Sequence, residues 1–64
     1  MIYRIVKARA GRDLYYVPQK RKSFLGIGYG KWEPVFPYPF HYLNSAFAAM
    51  DRKGINVLDI KLEI

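Results

Sequence analysis

Leu43-Asn44-Ser45-Ala46-Phe47-Ala48-Ala49-Met50-Asp51-Arg52-Lys53-Gly54 fixes the architecture. Leu43, Ala46, Phe47 and Met50 fall at i, i+3, i+4 and i+7, which gathers them into one apolar stripe on a helix. The spacing predicts a helix over Leu43 to Lys53. Gly54 stands where a helix C-terminus wants a left-handed residue, and Arg52 and Lys53 complement the negative end of the dipole. The start is poorly capped, because His41 and Tyr42 occupy the place where Ser, Thr or Asp would serve best. A single stripe needs one apolar surface to cover, and the flanking sequence reads as strands.

After Gly54, Leu58, Ile60, Leu62 and Ile64 alternate with Asp59, Lys61 and Glu63, which predicts a strand over Ile55 to Ile64. Ile55 and Val57 fall in the opposite phase, so a bulge or turn should separate them from the rest. Before the helix, Pro34, Pro37 and Pro39 exclude a long central strand and favour an extended crossing. Phe36, Tyr38 and Phe40 alternate with those prolines, which should aim the three rings one way as a lid on the core or, alternatively, as a strip for a ligand. Lys31 to Phe36 reads as a third strand anchored by Trp32. Further back, Met1 to Arg9 and Leu14 to Gln19 are strands joined at Ala10-Gly11-Arg12-Asp13. Pro18 cannot donate to a ladder, so it should lie on an edge or near a strand end.

The fold expected is therefore α+β, in the order β-β-β-α-β: an antiparallel sheet of three to four strands with one helix on one face. The 64 residues leave room for one domain spanning residues 1–64. With no cysteine, disulfides and thiolate–zinc sites are excluded. The stretch Met1 to Lys7 is too interrupted by charge for a signal peptide, and no run approaches the ~20 apolar residues of a membrane span. A cytoplasmic protein without a membrane partner is expected, in the host cytoplasm if the gene belongs to a phage.

Charge is distributed unevenly. Eight of the eleven Lys and Arg residues lie in the first 32 positions against a single acid, Asp13. They interleave with Tyr3, Tyr15, Tyr16, Phe24, Tyr29 and Trp32. Such a basic and aromatic surface suits polyanions, since phosphates attract cations and bases stack on rings. It also suits plain solubilisation of a small aromatic core. The candidate nucleic-acid-binding residues are Arg9 and Arg12 at the first turn, Tyr16, the run Lys20-Arg21-Lys22, and Tyr29, Lys31 and Trp32. Hairpin geometry should set the first turn and the Lys20 to Lys22 run at opposite ends of a stripe of cations.

Leu25-Gly26-Ile27-Gly28-Tyr29-Gly30 lacks the Gly-Lys-Ser/Thr ending of a phosphate loop and the spacing of a dinucleotide fold. A hairpin tip, or a bulged strand where backbones approach closely, accounts for it better. Catalysis has little to stand on: His41 is the one histidine, Ser23 and Ser45 the two serines, and threonine is absent. No enzyme activity, metal or cofactor is expected.

Tyr15-Tyr16-Val17-Pro18-Gln19-Lys20, Trp32 and Phe40-His41-Tyr42-Leu43-Asn44-Ser45-Ala46 together resemble small uncharacterised bacterial and bacteriophage proteins. In those, Tyr- and Trp-bearing strands precede an aromatic residue, a capping Thr or Ser, a Leu and Glu-Glu-Ala. The resemblance covers roughly half the chain; Tyr42 stands in place of the cap, and Asn44-Ser45 in place of the acids. It implies a fold and a phage or mobile-element origin, and no activity.

Two binding functions follow as expectations. One is a nucleic-acid-binding protein that uses the basic, aromatic sheet. The other is a phage-encoded interaction module or inhibitor docking on an acidic host protein. If the last strand is an edge, Leu58 to Ile64 could also pair two copies into a homodimer.

Overall fold

The computed structural model describes residues 1–63. Three strands come first: β1 (Ile2–Ala10), β2 (Asp13–Phe24) and β3 (Ile27–Pro34). The helix α1 (Leu43–Arg52) follows, then a 3-10 turn (Val57–Asp59) and β4 (Ile60–Glu63). The strands make one sheet in the order β3-β2-β1-β4. The α+β class and the β-β-β-α-β order are as the sequence predicts.

The sheet is mixed, which corrects the expected antiparallel one. β1 and β3 both run antiparallel to β2, whereas β4 runs parallel to β1. The cause lies in the connection. The chain leaves β3 at one edge, passes through α1 and re-enters at the opposite edge in the direction of β3 and β1. A helical crossover returns a strand in that sense, whereas a tight turn reverses it.

Paired residues share a face, so the register sorts the side chains. Tyr3, Ile5, Pro18 and Lys20 lie on one face with Ile60 and Leu62. Arg4, Val6, Val17 and Gln19 lie on the other, with Lys61 and Glu63. Ile5 and Pro18 are fully buried, as are Ala46 and Met50 of the helical stripe. Only a second layer can close off a sheet face, so α1 covers the Ile5–Pro18 side and leaves the Arg4–Gln19 side open. The core is small, and the half-buried Leu43 and Phe47 complete the stripe around it.

The helix ends as its sequence asks. Ile55 N donates to Met50 O at 3.2 Å and Gly54 N to Asp51 O at 2.9 Å, the paired bonds of a Schellman cap. At the start, Tyr42 supplies no side-chain cap, so the first turn rests on packing. The Lys53 ammonium lies 4.9 Å from the centre of the Phe36 ring and 3.4 Å from Val35 O, tying the helix end to the proline-rich crossing.

Several boundaries move. β2 runs on to Phe24, and β3 begins at Ile27 rather than Lys31, so the glycine stretch is strand. The turn between them is Leu25-Gly26, both at positive φ (53° and 82°) as a two-residue type I′ hairpin requires. Gly30, at φ 81°, sits where three residues of β3 oppose Arg21 alone between the pairs Lys20–Glu33 and Lys22–Tyr29. That is a special bulge, with two residues in excess, and the backbone conformation of Gly30 is one L side chains resist.

Pro18 stands in the middle of β2, not at its end, yet the reason for expecting an edge holds locally. Its carbonyl accepts from Val35 N at 3.0 Å, just past the last β3 pair, Gln19–Pro34. The missing N–H points to that same side, where the chain is already leaving the sheet. Two residues along, Tyr16 exchanges both backbone hydrogen bonds with Phe40, at 2.7 and 3.0 Å, and re-attaches the crossing. The rings of Phe36, Tyr38 and Phe40 do converge, with centroids 5.3 to 5.8 Å apart. Phe36 and Phe40 are half-buried and Tyr38 is exposed, so the lid is partial.

The last strand is shorter than predicted. The interruption expected near Val57 takes in Leu58 as well, because the Asn56 side chain accepts from Leu58 N at 3.0 Å and caps a 3-10 turn. Leu58 is consequently 90% exposed rather than turned inward with Ile60. Ile64 lies outside the described residues. No helix among them is long and apolar enough to cross a membrane.

Candidate polyanion-binding face

The open face is organised around Trp32. Arg4 lies on β1 and Trp32 on β3, separated by β2, and a long side chain is needed to span that distance. The Arg4 guanidinium reaches across and stacks 4.0 Å from the centre of the Trp32 ring. Its Nε donates to Gln19 Oε1 at 2.8 Å on the intervening strand, fixing the plane of the stack. The Arg21 guanidinium approaches the same ring at 5.8 Å. Two cations therefore share one ring, which spreads their charge over a flat surface.

Gly28 makes the second approach possible. A methyl at its Cα would stand 2.6 Å from Ile2 Cδ1 and 3.4 Å from Arg21 Cδ. Its bare backbone thus gives the Arg21 stem somewhere to lie. Arg21 Nε is shut in without a hydrogen-bond partner, leaving the terminal Nη groups as the donors able to meet a ligand.

A second group assembles at the bulge. Lys20, Lys22, Tyr29, Lys31 and Glu33 line a cleft of about 160 Å³ there, together with Arg21. The two extra β3 residues opposite Arg21 open it. The one acid in the cleft, Glu33, pairs with Lys20 in the ladder without closing an ion pair. Among the described residues the one ion pair is Lys61–Glu63, at 3.3 Å and exposed.

The residues expected from the sequence therefore fall into three places. Lys20, Arg21, Lys22, Tyr29 and Lys31 meet at the bulge, with Trp32 beside them on the open face. Arg9 and Arg12 are exposed at the β1–β2 turn. That turn is at the other end of β2, some ten residues or roughly 33 Å from Lys22. Tyr16 lies on the helix-covered face, half-buried, with its backbone engaged by Phe40. The cations form two clusters rather than an even stripe.

Trp32 is not a bare platform, because Arg4 takes part of its ring. Arg4 and Gln19 are the residues sequence reasoning passed over. Their alternation with Tyr3 and Ile5, and with Pro18, assigns them to one face, but the cross-strand partner Trp32 appears only with the register. His41, the one histidine, is exposed, with its ring 5.1 Å from Tyr15. Neither a family model nor a curated protein nor a solved structure matches the chain.

Proposed function

We propose that the protein is a non-catalytic nucleic-acid-binding module whose main contact surface is the Arg4–Trp32–Arg21 stack on the open face, with the Lys20–Lys22–Lys31 cleft, reached around the β3 edge, as a second cationic contact. The observation that carries this reading is the lack of internal counter-charge: the clustered cations have no acid within ion-pair distance among the described residues. A ligand phosphate would supply the missing charge, and the guanidinium forks suit its oxygens. A base could then stack on the exposed edge of the Arg–Trp unit, where the flat surface already exists. The reading concerns single strands, because an unpaired base is free to reach a ring on an open sheet.

The test is titration of a fluorescent single-stranded oligonucleotide across a salt series. Log Kd should change linearly with log salt, by about 0.7 per phosphate neutralised. Arg4→Gln with Arg21→Gln should weaken binding and flatten the slope, in a protein that melts as the wild type does. Absence of binding at about 50 mM salt, where screening is weak, would reject nucleic acid and turn attention to an acidic protein surface as the partner.

A further inference from the structure

The β2–β3 hairpin carries a feature that phosphate binding does not require. Beyond the pair Ile2–Arg21, β1 has ended, and the rungs Lys22–Tyr29, Ser23–Gly28 and Phe24–Ile27 continue as a free two-stranded arm. At its apex Phe24 is 69% exposed, Leu25 86% and Ile27 72%. Most of the surface of all three side chains faces solvent. Solitary exposed apolar residues are ordinary, but three large ones contiguous on a projecting tip mark a contact surface.

The backbone gives an independent indication. Leu25 occupies the first central position of the type I′ turn at φ 53°. Asn, Asp or Gly takes that position at little cost, whereas a bulky side chain there is strained. Folding alone would favour Asn-Gly. The sequence instead keeps a leucine at the most exposed point of the turn, and strain retained at an exposed apex points to a use for that side chain.

We propose that this tip is a docking element for anionic membrane surfaces, distinct from the Arg4–Trp32 stack. The argument rests on the order of residues along the arm. Phe24, Leu25 and Ile27 lead, Lys22 and Tyr29 form the next level, and Lys20 and Lys31 stand behind. Lys22 is three residues from Leu25, roughly 10 Å along a strand. An interfacial element sinks its apolar part ~5–10 Å into the headgroup and acyl boundary. The apolar tip would then meet the acyl boundary while the lysines lie level with lipid phosphates and serines. Tyr29 falls where aromatic residues concentrate in membrane proteins. Charge matches as well: among the described residues the one acid lining the cleft behind the arm is Glu33, set behind the cations, so the side turned toward an anionic surface is cationic. A bilayer also needs no pocket shaped to the tip. A base step or a narrow groove, by contrast, would have to take three bulky side chains at once. No spanning segment is involved, so the absence of a long apolar run does not bear on it.

The test is co-sedimentation with vesicles of phosphatidylcholine containing about 30% phosphatidylserine, against phosphatidylcholine alone, with the oligonucleotide titration run in parallel. The wild type should partition onto the anionic vesicles and not the neutral ones. Leu25→Asn should raise the melting temperature by relieving the turn, yet lower vesicle partitioning about tenfold or more, and Leu25→Gly should lose partitioning equally. Oligonucleotide affinity of both variants should stay at the wild-type value. Unchanged vesicle binding in Leu25→Asn would overturn the proposal, since adsorption would then be electrostatic only. A wild type that ignores anionic vesicles would overturn it too. So would parallel loss of vesicle and oligonucleotide binding in the tip variants, which would make the tip a wedge for nucleic acid. Arg4→Gln with Arg21→Gln reads the nucleic-acid function separately, so the two ideas can fail independently.

Discussion

At the scale of single residues, backbone conformation and close approach decide more than side-chain chemistry does. Gly30 is held at φ 81° in the bulge that opens the basic cleft. No atom lies within reach of a Cβ there, so the cost of Gly30→Ala is conformational alone, about 1 kcal/mol or more. Chemical denaturation should show that loss with no change in slope. Gly28→Ala acts through contact instead. The added methyl must displace Ile2 Cδ1, the end of a flexible side chain, and press on the stem of Arg21 at Cδ. The expected outcome is a modest stability loss together with weaker oligonucleotide binding, because Arg21 leaves the Trp32 ring. Binding that survives Gly28→Ala unchanged would show that the Arg21 placement is immaterial.

At the scale of elements, α1 and β4 carry the risk. Met50 and Ala46 are fully buried while Phe47 is half-buried beside them. A carboxylate at position 47 would be left unpaired at that boundary, a cost of several kcal/mol in a domain whose whole stability is of similar size. Phe47→Asp should abolish the cooperative melt seen by circular dichroism, whereas Asn44→Asp, exposed in the uncapped first turn, should be neutral or slightly stabilising. β4 is an outer strand of four residues in the strand order, and among the described residues no strand pairs with its far side. Pairing of two copies through that edge is the expected route to a weak dimer. Lys61 and Glu63 on it are exposed and limit its strength. Sedimentation over the micromolar range should detect it, and a substitution such as Leu62→Lys should return the protein to monomer.

At the scale of the whole molecule, a formal charge of +6 on 64 residues sets long-range behaviour. The clusters at the bulge and at the β1–β2 turn are too far apart to share one phosphate. A short oligonucleotide should therefore engage the Arg4–Trp32–Arg21 end, and a longer one should reach Arg9 and Arg12 too. The salt slope should increase with oligonucleotide length until both ends are covered. Arg9→Ala with Arg12→Ala should remove that increase while leaving short-strand affinity unaltered.

The sequence by itself determined the helix, its stripe and its glycine stop, because i, i+3, i+4 periodicity and C-terminal capping are local properties. It determined the first hairpin through turn chemistry, the convergence of Phe36, Tyr38 and Phe40 through proline, and the one-sided charge through composition. Tertiary structure decided the rest. The parallel pairing of β4 depends on where the crossover lands, which no residue of β4 encodes locally. The glycine stretch does hold the hairpin tip and bulged strand its sequence suggests, but where its strand begins depends on β2 supplying a partner for residues of weak intrinsic propensity. The division of Arg4 and Arg21 from Lys20 and Lys22 follows from the alternation of faces once α1 has covered one of them. The Arg4–Trp32 stack joins residues 28 positions apart in sequence, and only the sheet's register brings them within 4.0 Å.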